Sequence, residues 1–143
     1  MKRAFILIVV AALLVLSGCS KDRNLIKGAD APVNAVPTLS PSYTVNGFDP
    51  LGAEYSGNLQ VRPAATAGQY DLQWIVTGSV QQGVGRIEGN RLLVTWQTMP
   101  GSVIAATGIS TYTITARGEL YGERTTNSVS ERGTEKAFPN PAP

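Results

Sequence analysis

The chain contains no histidine and only one cysteine, Cys19, in 143 residues. A single thiol rules out an intramolecular disulfide. Without histidine the usual zinc, copper and haem ligand sets are missing, and so is any Ser-His or Cys-His catalytic pair. Carboxylates are present but never at the spacing of a calcium-binding loop. The expectation is therefore no metal, no cofactor and no enzyme. Charge is scarce too, at 15% of residues, and the formal +2 rests on Lys2 and Arg3. From Cys19 onward ten basic residues face ten acidic ones. Such a balance offers no basic stripe to neutralise phosphates, which argues against nucleic acid as a partner. Beyond the first 18 residues, no window of 11 or more has helical apolar spacing.

The N-terminus is where the most specific pattern lies. Met1-Lys2-Arg3 is basic, Ala4 to Leu16 is an unbroken apolar run, and Ser17-Gly18-Cys19 follows. A basic start, a short apolar core and small residues at the end describe a secretory signal peptide over residues 1–18. The 13 apolar residues fall short of the ~20 that a spanning helix needs.

Leu16-Ser17-Gly18-Cys19 resembles the lipobox of bacterial lipoprotein precursors: an aliphatic residue, two small ones, then the cysteine. The resemblance implies cleavage between Gly18 and Cys19, a diacylglyceryl group on the Cys19 thiol and acylation of the new amine. Each buried methylene contributes about 0.8 kcal/mol, so two or three acyl chains hold a protein to a membrane essentially permanently. Aspartate directly after the cysteine would favour the inner membrane. Ser20 stands there, with Asp22 too far along, and the outer membrane of a bacterial envelope is expected.

Residues 19–41 mix charges, Pro32, Pro37 and small side chains without periodicity, and read as a flexible tether. Residues 137–143 read as a Pro-rich tail, since alternate positions lack an N–H. Between them, residues 42–136 have a different rhythm. Tyr43 and Val45; Tyr55, Leu59 and Val61; Tyr70, Leu72, Trp74 and Val76; Leu92, Val94 and Trp96; and Tyr112, Ile114 and Ala116 all recur at period two. One-sided alternation is the signature of half-buried strands. Weaker strand candidates are 83–88, 102–107, 119–125 and 128–136. Glycines at close intervals, with Gly89-Asn90 and Asp49-Pro50-Leu51-Gly52, supply turn chemistry. Short linkers imply antiparallel neighbours. The predicted fold is all-β, a single antiparallel meander of about seven to nine strands closed or nearly closed into a barrel, which removes exposed edges. A two-sheet β-sandwich is the alternative.

Few residues suggest chemistry. Gly83-Val84-Gly85-Arg86-Ile87-Glu88-Gly89 has its third glycine one place late for a dinucleotide fingerprint, with strands rather than a helix following, so tight turns explain it better. Glu119/Glu123 and Glu131/Glu135 each share a strand face roughly 13 Å apart. That is too far for a glycosidase pair, whose carboxyls stand ~5–9.5 Å apart, so surface solvation is expected. Trp74 and Trp96, with Tyr43, Tyr55, Tyr70 and Tyr112, fall on the inward face. They are candidate ligand-lining residues in a lipocalin-like or avidin-like carrier of a small apolar ligand, or else plain core. Core filling is favoured, because so short a chain needs its aromatic side chains for stability.

A second resemblance covers most of the domain. Tyr43-x-Val45-x-Gly47-x-Asp49-Pro50-x-Gly52, Tyr55-x-Gly57-x-Leu59-x-Val61, Tyr70-x-Leu72-x-Trp74, Gly89-x-x-Leu92-x-Val94-x-Trp96, Gly118-x-Leu120-x-Gly122 and Gly133-Thr134-Glu135 are similar to a family of small exported bacterial β-proteins, some labelled fibronectin-binding-like. That family has an aromatic residue where Arg124 stands, a departure that would open one strand. Taken together, the sequence reads as a lipid-anchored, non-catalytic β-domain with a structural or protein-binding role. Specificity is expected in the polar outer face and in the stretches 84–88 and 97–102. The partners expected are the membrane, through Cys19, and another envelope or extracellular protein.

Overall fold

The structure, a computed structural model, describes residues 26–102 and 104–141; the signal-peptide segment, its cleavage point and Cys19 lie outside them. Eight strands follow in order: β1 (Ser42–Phe48), β2 (Glu54–Pro63), β3 (Gln69–Val76), β4 (Ser79–Glu88), β5 (Arg91–Thr98), β6 (Thr107–Ile114), β7 (Leu120–Thr126) and β8 (Val129–Pro139). Each pairs antiparallel with its neighbour in sequence, and β8 returns to pair with β1, so the sheet is a closed barrel with no free edge. This is the all-β closed meander that the period-two faces predict; the sandwich alternative does not hold.

Alternation places every second side chain inside. Tyr43, Val45, Leu59, Trp74, Leu92, Tyr112, Ile114 and Leu120 have no solvent exposure, and Leu72, Val94 and Trp96 are buried beside them. The interior of an eight-stranded barrel is just wide enough to be filled by side chains or to hold one small ligand; here side chains fill it, and large rings need small residues opposite. Tyr55 faces Gly47 across β1–β2, Trp96 faces Gly108 across β5–β6, and Tyr112 faces Gly122 across β6–β7. A Cβ on Gly108 would lie 1.9 Å from Thr125 O and 2.7 Å from the Trp96 ring; one on Gly122 would lie 2.4 Å from the Tyr112 ring. These glycines sit within strands rather than at turns. The same holds for Gly83 and Gly85, which belong to β4, where an added Cβ would press on Val94 and on Trp74 or Leu72. The stretch 84–88 is thus strand rather than loop, and the turn comes at Gly89, whose φ is 58°.

Other boundaries shift as well. Among the described residues of 102–107 no strand begins before Thr107; β5 ends at Thr98, so of the expected loop 97–102 the first two residues still belong to β5. Residues 26–41, expected as part of a tether, are fastened across one end of the barrel. Ala31 N donates to Ile114 O, Ala116 N to Ala29 O and Asn90 Nδ2 to Ala31 O, while Asp30 bridges Thr115. Ala31 and Leu39 are buried, and Leu39 joins the core. The two apolar side chains escape notice in a polar stretch because they plug a hole rather than follow a period. The expected Pro-rich tail likewise begins as strand: Ala137 is fully buried, and Pro139 ends β8 opposite Tyr43. Pro139 needs no donor there, since the next residue, Asn140, supplies the N–H to Ser42 O at 2.9 Å.

Candidate functional site

The N-terminal segment closes the end of the barrel where Tyr43, Leu92, Ile114 and Leu120 meet. The opposite end, ringed by the β1–β2, β3–β4, β5–β6 and β7–β8 turns, holds an open cup of ≈ 300 Å³. Its wall includes Tyr55, Val76, Gln81, Trp96 and Arg124, with Asp49 and Glu54 on the rim.

A buried charged cluster lies against this cup. Arg124 projects inward from β7 and Glu135 from β8, both almost fully buried, with Arg124 Nη1 2.7 Å from Glu135 Oε2. The Glu135 carboxylate also accepts from Tyr55 Oη at 2.7 Å, Tyr112 Oη at 2.6 Å and Trp74 Nε1 at 3.0 Å. All four donors converge from different strands, so the carboxylate trades its hydration for a full set of protein hydrogen bonds. Arg124 is held in turn: Nη2 donates to Gln81 Oε1, and the guanidinium lies 4.9 Å from the Trp74 ring and 4.6 Å from that of Trp96. Cation–π contact of this kind contributes about 2 kcal/mol when desolvated. The strand does not open at Arg124. β7 keeps both neighbours, with a register irregularity between Arg124 and Thr126 on the β8 side.

Burial raises the Tyr55 and Tyr112 phenols above their ordinary range, with Glu135 beside them adding to the effect and Arg124 opposing it. For Arg124 burial works downward, but Tyr112, Glu135 and Tyr55 outweigh it and leave the guanidinium more firmly protonated than usual. Both phenols stay neutral donors and the guanidinium stays charged throughout the physiological range.

The sequence-predicted sites separate. Trp74 is fully buried and committed to Glu135, so it lines no cup; Trp96 does line it. Glu135 and Glu119 are not solvated surface carboxylates. Glu135 centres the cluster, and Glu119, 5% exposed, secures the N-terminal segment by accepting from Gly28 N and Thr115 Oγ1 while pairing with Arg117. Glu123 and Glu131 are exposed as expected. Glu135 shares the inward phase of Gly133 and Ala137, and Arg124 that of Leu120 and Gly122; phase was the available signal, obscured by charge. Among the described residues no group of three or more Asp, Glu, His or Cys converges to hold a metal. Comparison with protein-family models, with curated proteins and with solved structures found no match for the chain.

Proposed function

We propose that the chain is a lipid-anchored envelope lipoprotein whose barrel is a non-catalytic binding module that works through its open end and outer wall. The observation that carries this reading is the state of the interior. Trp74, Tyr43, Tyr112 and Glu135 fill it with essentially no exposure, whereas carriers with a central ligand chamber keep theirs hollow. Glu119 and Glu135 both have their oxygens engaged by protein donors, which leaves neither free for acid–base work. Around the open end Phe48, Leu51 and Ile104 stand 51%, 78% and 74% exposed. Phe48 and Leu51 on the β1–β2 side and Ile104 on the β5–β6 side of the rim offer a protein partner apolar contacts. Anchorage rests on Leu16-Ser17-Gly18-Cys19 directly after an apolar run, and Ser20 favours the outer membrane.

A second reading has the cup in its favour: ≈ 300 Å³ beside Trp96 would hold a small molecule, so a carrier role would operate there and not in a central chamber. Native mass spectrometry of the protein purified from its own envelope tests both. The expected spectrum shows lipid mass on Cys19 and no stoichiometric small molecule. A retained ligand would favour the carrier, and an unmodified Cys19 on an uncleaved chain would remove the anchor.

A further inference from the structure

The outer wall carries a pattern that the open end does not account for. Gln60 on β2 stands directly opposite Gln73 on β3, Gln73 opposite Gln82 on β4, and Gln82 opposite Gln97 on β5. The four glutamines thus form one row across four adjacent strands, continued by Thr107 on β6. All lie on the outward phase, and with Thr95 and Thr107 they line an open depression of ≈ 770 Å³. Gln60, Gln73 and Gln82 are half-buried rather than freely waving.

We infer that this wall is a binding face for a neutral, hydroxyl-rich glycan chain lying across the strands. The chemistry of the row supports that class over the others. An uncharged amide offers a carbonyl acceptor and two N–H donors side by side, a set that matches adjacent hydroxyls. Strands stand about 4.8 Å apart, so a chain laid across them meets one amide per strand over about 14 Å. The ionised neighbours in the depression, Arg62 and Asp71, are cross-strand partners of opposite sign, so the face has no net charge to attract a polyanion. Protein interfaces are anchored by aromatic or arginine side chains buried at the centre of the patch, and here the centre of the row is Gln73 and Gln82. An acyl chain would strip water from the amides and return no hydrogen bond. This face is separate from the open end and independent of Cys19.

The test uses the mature full chain, isotopically labelled, in a zwitterionic detergent that contains no sugar. Cellohexaose and chitohexaose are titrated to millimolar concentration while the backbone amide and glutamine side-chain amide signals are followed by NMR, with an oligogalacturonate as anionic control. The expected result is saturable shifts at Gln60, Gln73, Gln82 and Gln97 with at least one neutral oligosaccharide. Joint substitution of Gln73→Ala and Gln82→Ala should weaken binding about tenfold or more, with the melting temperature and the core methyl signals unchanged. Four outcomes overturn the inference: no shift with either neutral probe, shifts confined to Leu51 and Ile104 at the open end, unchanged affinity in the double variant, or equal binding of the oligogalacturonate. None of these bears on lipidation, which is read separately from the mass at Cys19.

Discussion

Two indoles occupy equivalent inward positions on neighbouring parts of the barrel, yet their N–H groups have different fates. Trp74 Nε1 donates to Glu135, whereas Trp96 Nε1 is buried without a partner. Replacing each by Phe removes the N–H and some ring volume. For Trp74→Phe the buried carboxylate loses one of its donors, and about 1–3 kcal/mol of stability beyond the volume effect should go with it. For Trp96→Phe no hydrogen bond is lost, so only the volume effect should remain. Urea unfolding of the two variants checks the difference; equal losses would mean that the Trp74–Glu135 bond contributes nothing net. The phenols make a second prediction. Burial raises Tyr43 to about 12 and also raises Tyr55 and Tyr112. An unfolded tyrosine ionises near ~10. Between the unfolded and folded values the native state holds protons that the unfolded state has released, so stability falls as pH rises through that window. Each such phenol contributes up to about 1.4 kcal/mol per pH unit to that fall. Alkaline unfolding should therefore be steep and should coincide with the appearance of tyrosinate absorbance from Tyr43, Tyr55 and Tyr112. Ionisation of Tyr43, Tyr55 and Tyr112 well before loss of the fold would contradict the burial argument. The sequence placed all of these rings on the inward face. It gave no warning of what they surround, because Glu135 and Arg124 look like ordinary surface charges until eight strands bring their donors together.

At the level of elements, the strands were legible because alternation is local: Tyr70, Leu72 and Trp74 declare a face without reference to the rest of the chain. The glycines were harder. In sequence Gly108 and Gly122 resemble turn residues, and only the cross-strand register places them under Trp96 and Tyr112. The N-terminal segment was harder still, since its hold on the barrel consists of contacts between residues far apart in sequence. Gly28 N meets Glu119 Oε2 across 91 positions, and Leu39 enters a core built by other elements. Buried Leu→Ala substitutions typically cost about 2–5 kcal/mol. Leu39→Ala should fall in that range, whereas Val33→Ala, at a residue 70% exposed, should be close to neutral. Chemical denaturation of both variants separates a seated strap from a passive leader: a passive leader would leave both variants as stable as the parent.

At the scale of the whole molecule, the closed and open ends acquire a direction once the proposed lipid anchor is considered. The first described residue, Ile26, accepts a hydrogen bond from Arg117 at the closed end through its carbonyl, and Val33 packs near Gly89, in the β4–β5 turn at the same end. Cys19 precedes Ile26 by seven positions, a span of at most about 25 Å even when fully extended. Strands of eight residues such as β3 and β5, rising ~3.3 Å per residue and tilted as in other barrels, put the open end about 20 Å beyond the closed one. If Cys19 carries the lipid and the leash is not drawn out to its full length, attachment at the closed end sets that end nearer the bilayer and turns the cup, with Phe48, Leu51 and Ile104, outward. The row from Gln60 to Gln97 then stands on the side wall, where a chain running parallel to the membrane could lie against it. Cysteine-specific labels give a direct measurement, because a lipidated Cys19 would be blocked and a new thiol at Val33 or at Leu51 would then be unique. In vesicles holding a headgroup-localised quencher, a fluorophore at Val33 should be quenched strongly and one at Leu51 weakly. The reverse order would mean that the barrel lies with its open end against the membrane, and the exposed rim would then be a lipid contact instead of a site for a protein partner.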